Sequence, residues 1–323
     1  MPEPIRGIHH ITAIASDPQR NLDFYTQALG LRLVKLTVNF DDPGTYHFYF
    51  ADADGRPGTI LTFFPWPDSR PGRHGASQVG VVGFNIPLDS VGFWPERLKR
   101  YGITTSNPFR RFEDEVISLR DPDGLAVELI ASYPAGVADA TDGSRWNGSP
   151  VPPEHAIRGF STPTLLLTGP DVTAELLGNV FGLRPVGQSG SRVRFSSGEA
   201  IGGQVDIETR PDESRGGMGA GVVHHIAWRA PDDVQQLEWR ELLVERGLSV
   251  TPVIDRQYFH SIYFREPGGI LFEIATDPPG FTTDEPLEAL GSGLKLPPQY
   301  ESRRATIEAA LPPLRLPERQ GSN

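Results

Sequence analysis

The chain repeats itself. RGIHHIT at residues 6–12 matches RGFSTPT at 158–164, and LGLRLV at 29–34 returns as FGLRPV at 181–186, so both pairs are 152 residues apart. A second pair has an offset of 145: RDPDGLAVELI at 120–130 and REPGGILFEIA at 265–275. Ahead of these, SQVGVVGFNIP (77–87) resembles AGVVHHIAWRAP (220–231). A fixed period means one supersecondary unit used several times, and it constrains the fold more than composition does. The chain reads as four units, at 6–66, 77–132, 157–210 and 220–277.

Each unit has one grammar. A short apolar strand comes first, such as IHHITAIA or VVHHIAWRA. A helix follows. In unit one, Leu22, Phe24, Tyr25, Ala28 and Leu29 recur at helical spacing after Asp17-Pro18. In unit four the helix runs from Val234 to Arg246, with Gly247 as its C-terminal stop. Strands and turns then close the unit: Gln257–Phe264, the turn Glu266–Gly269, and Ile270–Ala275. The unit is βαβββ. One copy leaves a sheet face open, so copies must pair. The expected class is α+β, with four units forming two cup-shaped, eight-stranded mixed sheets. The 35 Gly and 31 Pro exclude an all-helical chain.

The units group into an N-terminal half at 6–132 and a C-terminal half at 157–277. Residues 133–156, rich in Pro, Gly, Asp and Ser, read as a linker. An extension follows at 278–323, with one helix expected at Gln299–Leu311 before Pro312-Pro313. A net charge of −11 argues against a nucleic-acid partner and against an anionic membrane surface. The absence of cysteine removes thiolate metal sites and thiol nucleophiles. No signal peptide or membrane-spanning segment is visible, which makes the cytoplasm the expected compartment.

HHITAIASDPQRNLDFYTQALGL and the repeated βαβββ grammar resemble the vicinal oxygen chelate superfamily, which includes glyoxalase I, extradiol dioxygenases and bleomycin-resistance proteins. More narrowly, the HH doublets of units one and four, the DPGTYHFYFAD segment and the PPQYESRRATIEAALPPL tail resemble ring-cleaving dioxygenases of the hydroquinone type. The resemblance covers nearly the whole chain. It implies a metal bound by residues on the first and last strands of paired units.

Alternate residues of a strand face opposite sides, so parity tests those strands. Ile270, Phe272 and Ile274 form an apolar stripe suited to a helix layer, and Glu273 points the other way. His10 and His225 fall on that same face, away from the helices. Two imidazoles and one carboxylate make a 2-His-1-carboxylate facial triad. At the positions matching His10, unit two has Val81 or a neighbour and unit three has Thr162. Ordinary extradiol dioxygenases draw all three ligands from the C-terminal half. Thr162 forbids that here, and His10 becomes the third ligand. Unit one must then sit beside unit four, and unit two beside unit three. Glu128 occupies the unit-two position of Glu273 without a histidine beside it, and reads as structural.

The other candidates are less strongly patterned. Parity sets His9 and His224 opposite the ligands, whereas the resemblance implies acid–base or hydrogen-bonding roles for them near substrate. A β-bulge would reconcile the two. The resemblance also places Tyr263 and Arg256 near a bound phenolate. Thr12 is expected to lend a hydroxyl beside the metal. Phe63, aligned with Glu273, is expected to form an apolar wall for the substrate ring. His47, His74, His155 and His260 have no motif support and read as structural or exposed.

What the resemblance implies is an Fe(II) enzyme that opens the ring of a hydroquinone-type dihydroxybenzene with O₂. Mn(II) would suit the same ligands. His224 is the first choice for proton transfer, and His9 the second. A catechol extradiol dioxygenase and a glyoxalase-type lyase or isomerase are the alternatives. A non-catalytic binding protein of the bleomycin-resistance kind would lack the triad. The partners expected are a small aromatic molecule and O₂, with room left for a homo-oligomer.

Overall fold

The structure is a computed structural model and describes residues 2–132 and 146–317. Residues 133–145 of the expected linker and 318–323 of the extension lie outside it. Unit one supplies β1 (Ile8–Ala15), β2 (Arg32–Asn39), β3 (Asp42–Ala51) and β4 (Ile60–Pro65). Unit two supplies β5 (Gln78–Ile86), β6 (Phe109–Arg111), β7 (Asp114–Arg120) and β8 (Ala126–Ala131). Unit three has β9 (Gly159–Phe160), β10 (Thr164–Leu167), β11 (Arg184–Ser189), β12 (Arg192–Ser196) and β13 (Gln204–Thr209). Unit four has β14 (Val223–Ala230), β15 (Ile254–Asp255), β16 (Phe259–Arg265) and β17 (Leu271–Pro279).

These strands form two curled sheets. The first runs β15-β16-β17-β14-β1-β4-β3-β2 and joins unit four to unit one. The second runs β11-β12-β13-β10-β5-β8-β7-β6 and joins unit three to unit two, with the two-residue β9 added beside β5. The pairing is the one the ligand argument required. The second sheet exceeds the expected eight strands by β9, because Gly159 and Phe160 bond to Asn85 and Phe84 where the chain enters unit three.

The helices cover the outer faces. Asp17 caps α1 (Pro18–Asp23) by accepting from the Arg20 amide at 2.8 Å, with Pro18 as first residue. A π-turn, Phe24–Ala28, continues it. Unit three repeats the arrangement in α3 (Asp171–Glu175) and Leu176–Val180. Gly30 and Gly182 follow these two turns with φ of +74° and +80°, which is why GLR recurs in both. Units two and four carry α2 (Phe93–Arg100) and α4 (Asp233–Glu245), and Gly247 ends the latter at φ +84°. Trp239 and Leu243 of α4 share one core with Ile226, Ile262, Phe272 and Ile274. The expected stripe therefore does face the helices.

The extension wraps unit one. Leu294 bridges Leu36, and buried Lys35 is held by Asp284 and Glu285. Its helix is shorter than expected: Pro298–Arg303 is 3₁₀ and α5 covers only Arg304–Ala310, since the two prolines at 297 and 298 constrain the first turn.

In the second sheet Val81 and Thr162 stand where the first has histidines. Glu128 and Asp206 stand at the positions of Glu273. Arg111 grips Glu128 through both carboxylate oxygens, and Arg192 and Arg194 hold Asp206 at 3.1 and 2.9 Å. Guanidinium groups neutralise both carboxylates, so this cup is closed by ion pairs.

Candidate metal centre

The two units of the first sheet meet at β1 and β14, antiparallel, with Ile11 opposite Ile226. His10 faces Ala227 and Thr12 faces His225. The register is two-fold symmetric about that central pair. The ladder slips on both sides, at His9 and at His224. Each doublet thus contains a β-bulge, which turns its first histidine toward the second. His9 Nδ1 lies 2.9 Å from His10 Nδ1, and His224 Nδ1 lies 2.8 Å from His225 Nδ1.

The symmetry continues across the sheet. Thr12 pairs with Thr62 on β4 as Ala227 pairs with Glu273 on β17. Tyr49 lies opposite Thr62 as Tyr263 lies opposite Glu273. The unit-one counterpart of Glu273 is therefore Thr62, and the alignment with Phe63 was one residue out. A slip of one residue reverses the face. Phe63 packs on the helix side against Tyr25 at 4.7 Å and does not line the cup. Phe64, its neighbour, does.

His10, His225 and Glu273 converge, with ligand atoms all within 4.8 Å of one another. Among the described residues they are the only such group. Glu273 Oε2 lies 2.9 Å from His225 Nε2 and 3.3 Å from His10 Nε2. It is fully buried and accepts a hydrogen bond from neither, while Oε1 accepts from Ser261 Oγ at 2.5 Å. A buried carboxylate oxygen without a donor is costly. Two imidazole nitrogens aimed at it suit a shared cation, so the donor set fits a divalent metal. Burial would raise the Glu273 carboxyl, but His10 and His225 hold it well below the usual carboxylate range. Burial lowers His225.

Tautomers follow from these contacts. If Nε2 of His10 and His225 is to donate a lone pair to a metal, Nδ1 must carry the hydrogen. It then donates to Nδ1 of the preceding histidine, whose own hydrogen sits on Nε2. His9 and His224 thereby orient the ligands. Burial and His10 lower His9 well below its usual value. Burial and His225 push His224 down to about 3. The two then part company. His224 lines the cavity above the site, whereas His9 is packed behind Phe259, 5.1 Å between rings.

That cavity has a volume of about 270 Å³. A cavity of roughly 150 Å³ holds a benzene, so one substituted ring fits. Phe40, Phe64, Trp66, Phe259 and Tyr263 supply aromatic wall, and Thr12 lies on the floor. Arg256 lies over the Tyr263 ring, 5.5 Å from its centre, and pairs with Asp41 at 3.1 Å. Burial opposes the Arg256 charge, but Tyr263 and Asp41 hold its pKa above the usual value. Burial, with Glu273 nearby, raises the Tyr263 phenol.

The sequence model of the Glyoxalase/Bleomycin resistance protein/Dioxygenase superfamily matches residues 7–129 and 166–274. The chain belongs to that superfamily. Among its relatives, MhqO of Bacillus subtilis (strain 168), provisionally named a ring-cleaving dioxygenase, is 49% identical over 98% of this chain and 99% of its own. The chlorohydroquinone/hydroquinone 1,2-dioxygenase of Sphingobium indicum is 36% identical over 93% of this chain and 94% of its own. A crystal structure of a Bacillus subtilis protein provisionally called a dioxygenase superposes with a TM-score of 0.92 at 49% identity, covering 98% of this chain and 99% of that one. Glyoxalase I from Zea mays shares the fold, with a TM-score of 0.61 at 14% identity over 84% of this chain and 92% of that one.

Two residues beside the cluster were not singled out in the sequence. Thr62 was hidden by the slipped alignment. His47, read as structural, lines the cavity beside Tyr49 and Phe64, with rings 4.1 and 4.4 Å away. Its position is the symmetry mate of Ser261, which could have flagged it. His74, His155 and His260 lie outside this cavity, His155 stacked on Phe93 and His260 paired with Asp233.

Proposed function

We propose that this protein is a non-haem Fe(II) dioxygenase that opens the ring of a hydroquinone-type dihydroxybenzene using O₂. The observation that carries the reading is a site of two histidines and one glutamate, with Thr62 at the fourth symmetric position, opening into a cavity walled by aromatic rings. The names of the relatives support the choice of substrate class.

His10, His225 and Glu273 would hold the iron. When bound, iron with three protein ligands offers open positions at which a ring oxygen and O₂ can be held side by side and activated. The chain's own residues do the rest. The aromatic walls take a flat ring and keep bulk water from it. His224, with its hydrogen on Nε2, offers a donor to an oxygen above the site. Tyr263 and Arg256 offer further donors where negative charge develops. Serine at 261 fixes the carboxylate of Glu273. A glyoxalase-type lyase is disfavoured because Thr62 supplies no fourth ligand. The catechol alternative shares every one of these residues and is separated by substrate.

The test uses protein purified without oxygen and loaded separately with Fe(II), Mn(II) or Zn(II). Oxygen uptake and product spectra are followed with hydroquinone, chlorohydroquinone and catechol, and lyase activity with the methylglyoxal–glutathione adduct. The expected result is oxygen uptake and a ring-opened product from a hydroquinone with the Fe(II) form. Lyase activity of the Zn(II) form without oxygen uptake would overturn the reading.

A further inference from the structure

A ring hydroxyl must lose its proton as it becomes an anionic ligand, and that proton needs an acceptor. In the tautomers derived above, His224 has none to offer. Its Nδ1 lone pair meets the His225 hydrogen, and its Nε2 bears its own. His9 is in the same state and lies outside the cavity. The cavity imidazole that remains is His47.

His47 Nε2 lies 2.9 Å from Thr62 Oγ1, and Thr62 Oγ1 lies 2.9 Å from Thr12 Oγ1. Thr62 is completely buried beneath the floor, while Thr12 and His47 both line the cavity. Among the described residues no partner meets His47 Nδ1, which is the ring atom left to the cavity. The string thus begins beside the ligands, runs under the floor and returns to the same cavity. With Thr62 donating to Thr12, His47 donates from Nε2 and its Nδ1 is bare. Rotating both hydroxyls gives the reverse string, with Thr12 free to accept and the His47 hydrogen on Nδ1.

We propose that Thr12, Thr62 and His47 form the relay that removes the proton of the ring hydroxyl, a role that rests on the ring-cleaving reading above. From the reverse string, the hydroxyl proton passes to Thr12 Oγ1, the Thr12 proton to Thr62 Oγ1 and the Thr62 proton to His47 Nε2. The Nδ1 proton leaves to water in the cavity. His47 is neutral before and after, as its burial requires. The string that results is the first one, with Thr62 donating to Thr12, and the Thr12 hydrogen then donates to the new oxyanion. Thr62 sits where the two-fold would otherwise put a second carboxylate, so the same residue leaves the coordination side open and equips it with a proton path.

The test is stopped-flow absorbance under nitrogen. Fe(II)-loaded protein is mixed with hydroquinone, and the ultraviolet band of the phenolate reports ionisation without turnover. Thr62→Val keeps shape and removes the hydroxyl. It is expected to slow ionisation and kcat by about 100-fold, the usual worth of a proton-transfer group, with KM and iron content as in wild type. Thr62→Ser should restore both rates. His47→Phe keeps the ring packing and should match Thr62→Val, and the double variant should be no slower than either single one. Wild-type ionisation in Thr62→Val or in His47→Phe, or losses that multiply in the double variant, would overturn the relay while wild-type turnover preserves the enzyme reading. A wild-type protein that neither ionises nor consumes hydroquinone removes the enzyme reading, and the relay with it.

Discussion

At the scale of single residues, the proposed iron site separates groups that would hold a cation from groups that would aim them. Glu273→Ala or His225→Ala removes a ligand, so both should lose iron and activity together, read as iron content after gel filtration. Ser261 Oγ donates to Glu273 Oε1 at 2.5 Å. Losing that bond frees the carboxylate to rotate, so Ser261→Ala should weaken iron binding about 10–100-fold in a chelator competition while leaving the fold intact. Phe63 shows how much one position matters. On the helix side it is a core residue, and Phe63→Ala should cost about 3–5 kcal/mol in urea unfolding with little change in substrate affinity. Phe64→Ala should do the opposite, weakening aromatic binding with little loss of stability.

At the scale of elements, the bulges in β1 and β14 and the grip of the extension on β2 set the site. The β2–β3 hairpin forms one rim of the cavity through Asn39, Phe40 and Asp41. Asp41 takes Arg256 from unit four, Asp42 accepts from Trp66, and Tyr300 of the extension donates to the Phe40 carbonyl at 2.7 Å. At the root of the same hairpin, Lys35 is fully buried against Glu285 and Asp284. Removing one partner from a buried pair strands the other, so Lys35→Met should destabilise the protein by about 3–5 kcal/mol. The check is the midpoint of urea unfolding. Restoring apolar balance with Glu285→Leu in the same chain should recover part of that loss.

At the scale of the whole molecule, neither half of the chain owns a sheet. Each sheet takes one unit from the N-terminal half and one from the C-terminal half. Since His10 comes from one and His225 and Glu273 from the other, residues 1–146 and 147–323 produced separately should each fail to bind iron. Mixed or co-expressed, they should recover it, measured by metal analysis of the copurified pair. The second sheet carries the same topology with its carboxylates answered by arginines. One fold thus holds one cup with a buried His/His/Glu cluster and one whose carboxylates are closed by ion pairs.

Much of this was legible in the chain. The repeat defined the unit. The period-two alternation of Ile270, Phe272 and Ile274 set Glu273 on the inner face, and the replacement of histidine by Thr162 led to the pairing of units. These depend on neighbours along the chain. Three matters depended on neighbours across the sheet. The bulges at His9 and His224 reversed the side those rings take, although nothing in the local pattern of β1 or β14 distinguishes a bulged strand from a regular one. Thr62, and not Phe63, met Thr12, because register is set by hydrogen bonds between strands distant in sequence. His47 joined this cluster only because its imidazole reaches Thr62 on the neighbouring strand β4, 2.9 Å away. Side chains alternate with a period of two, so each of these turns on a single residue of register, which the local sequence leaves open and the folded sheet decides.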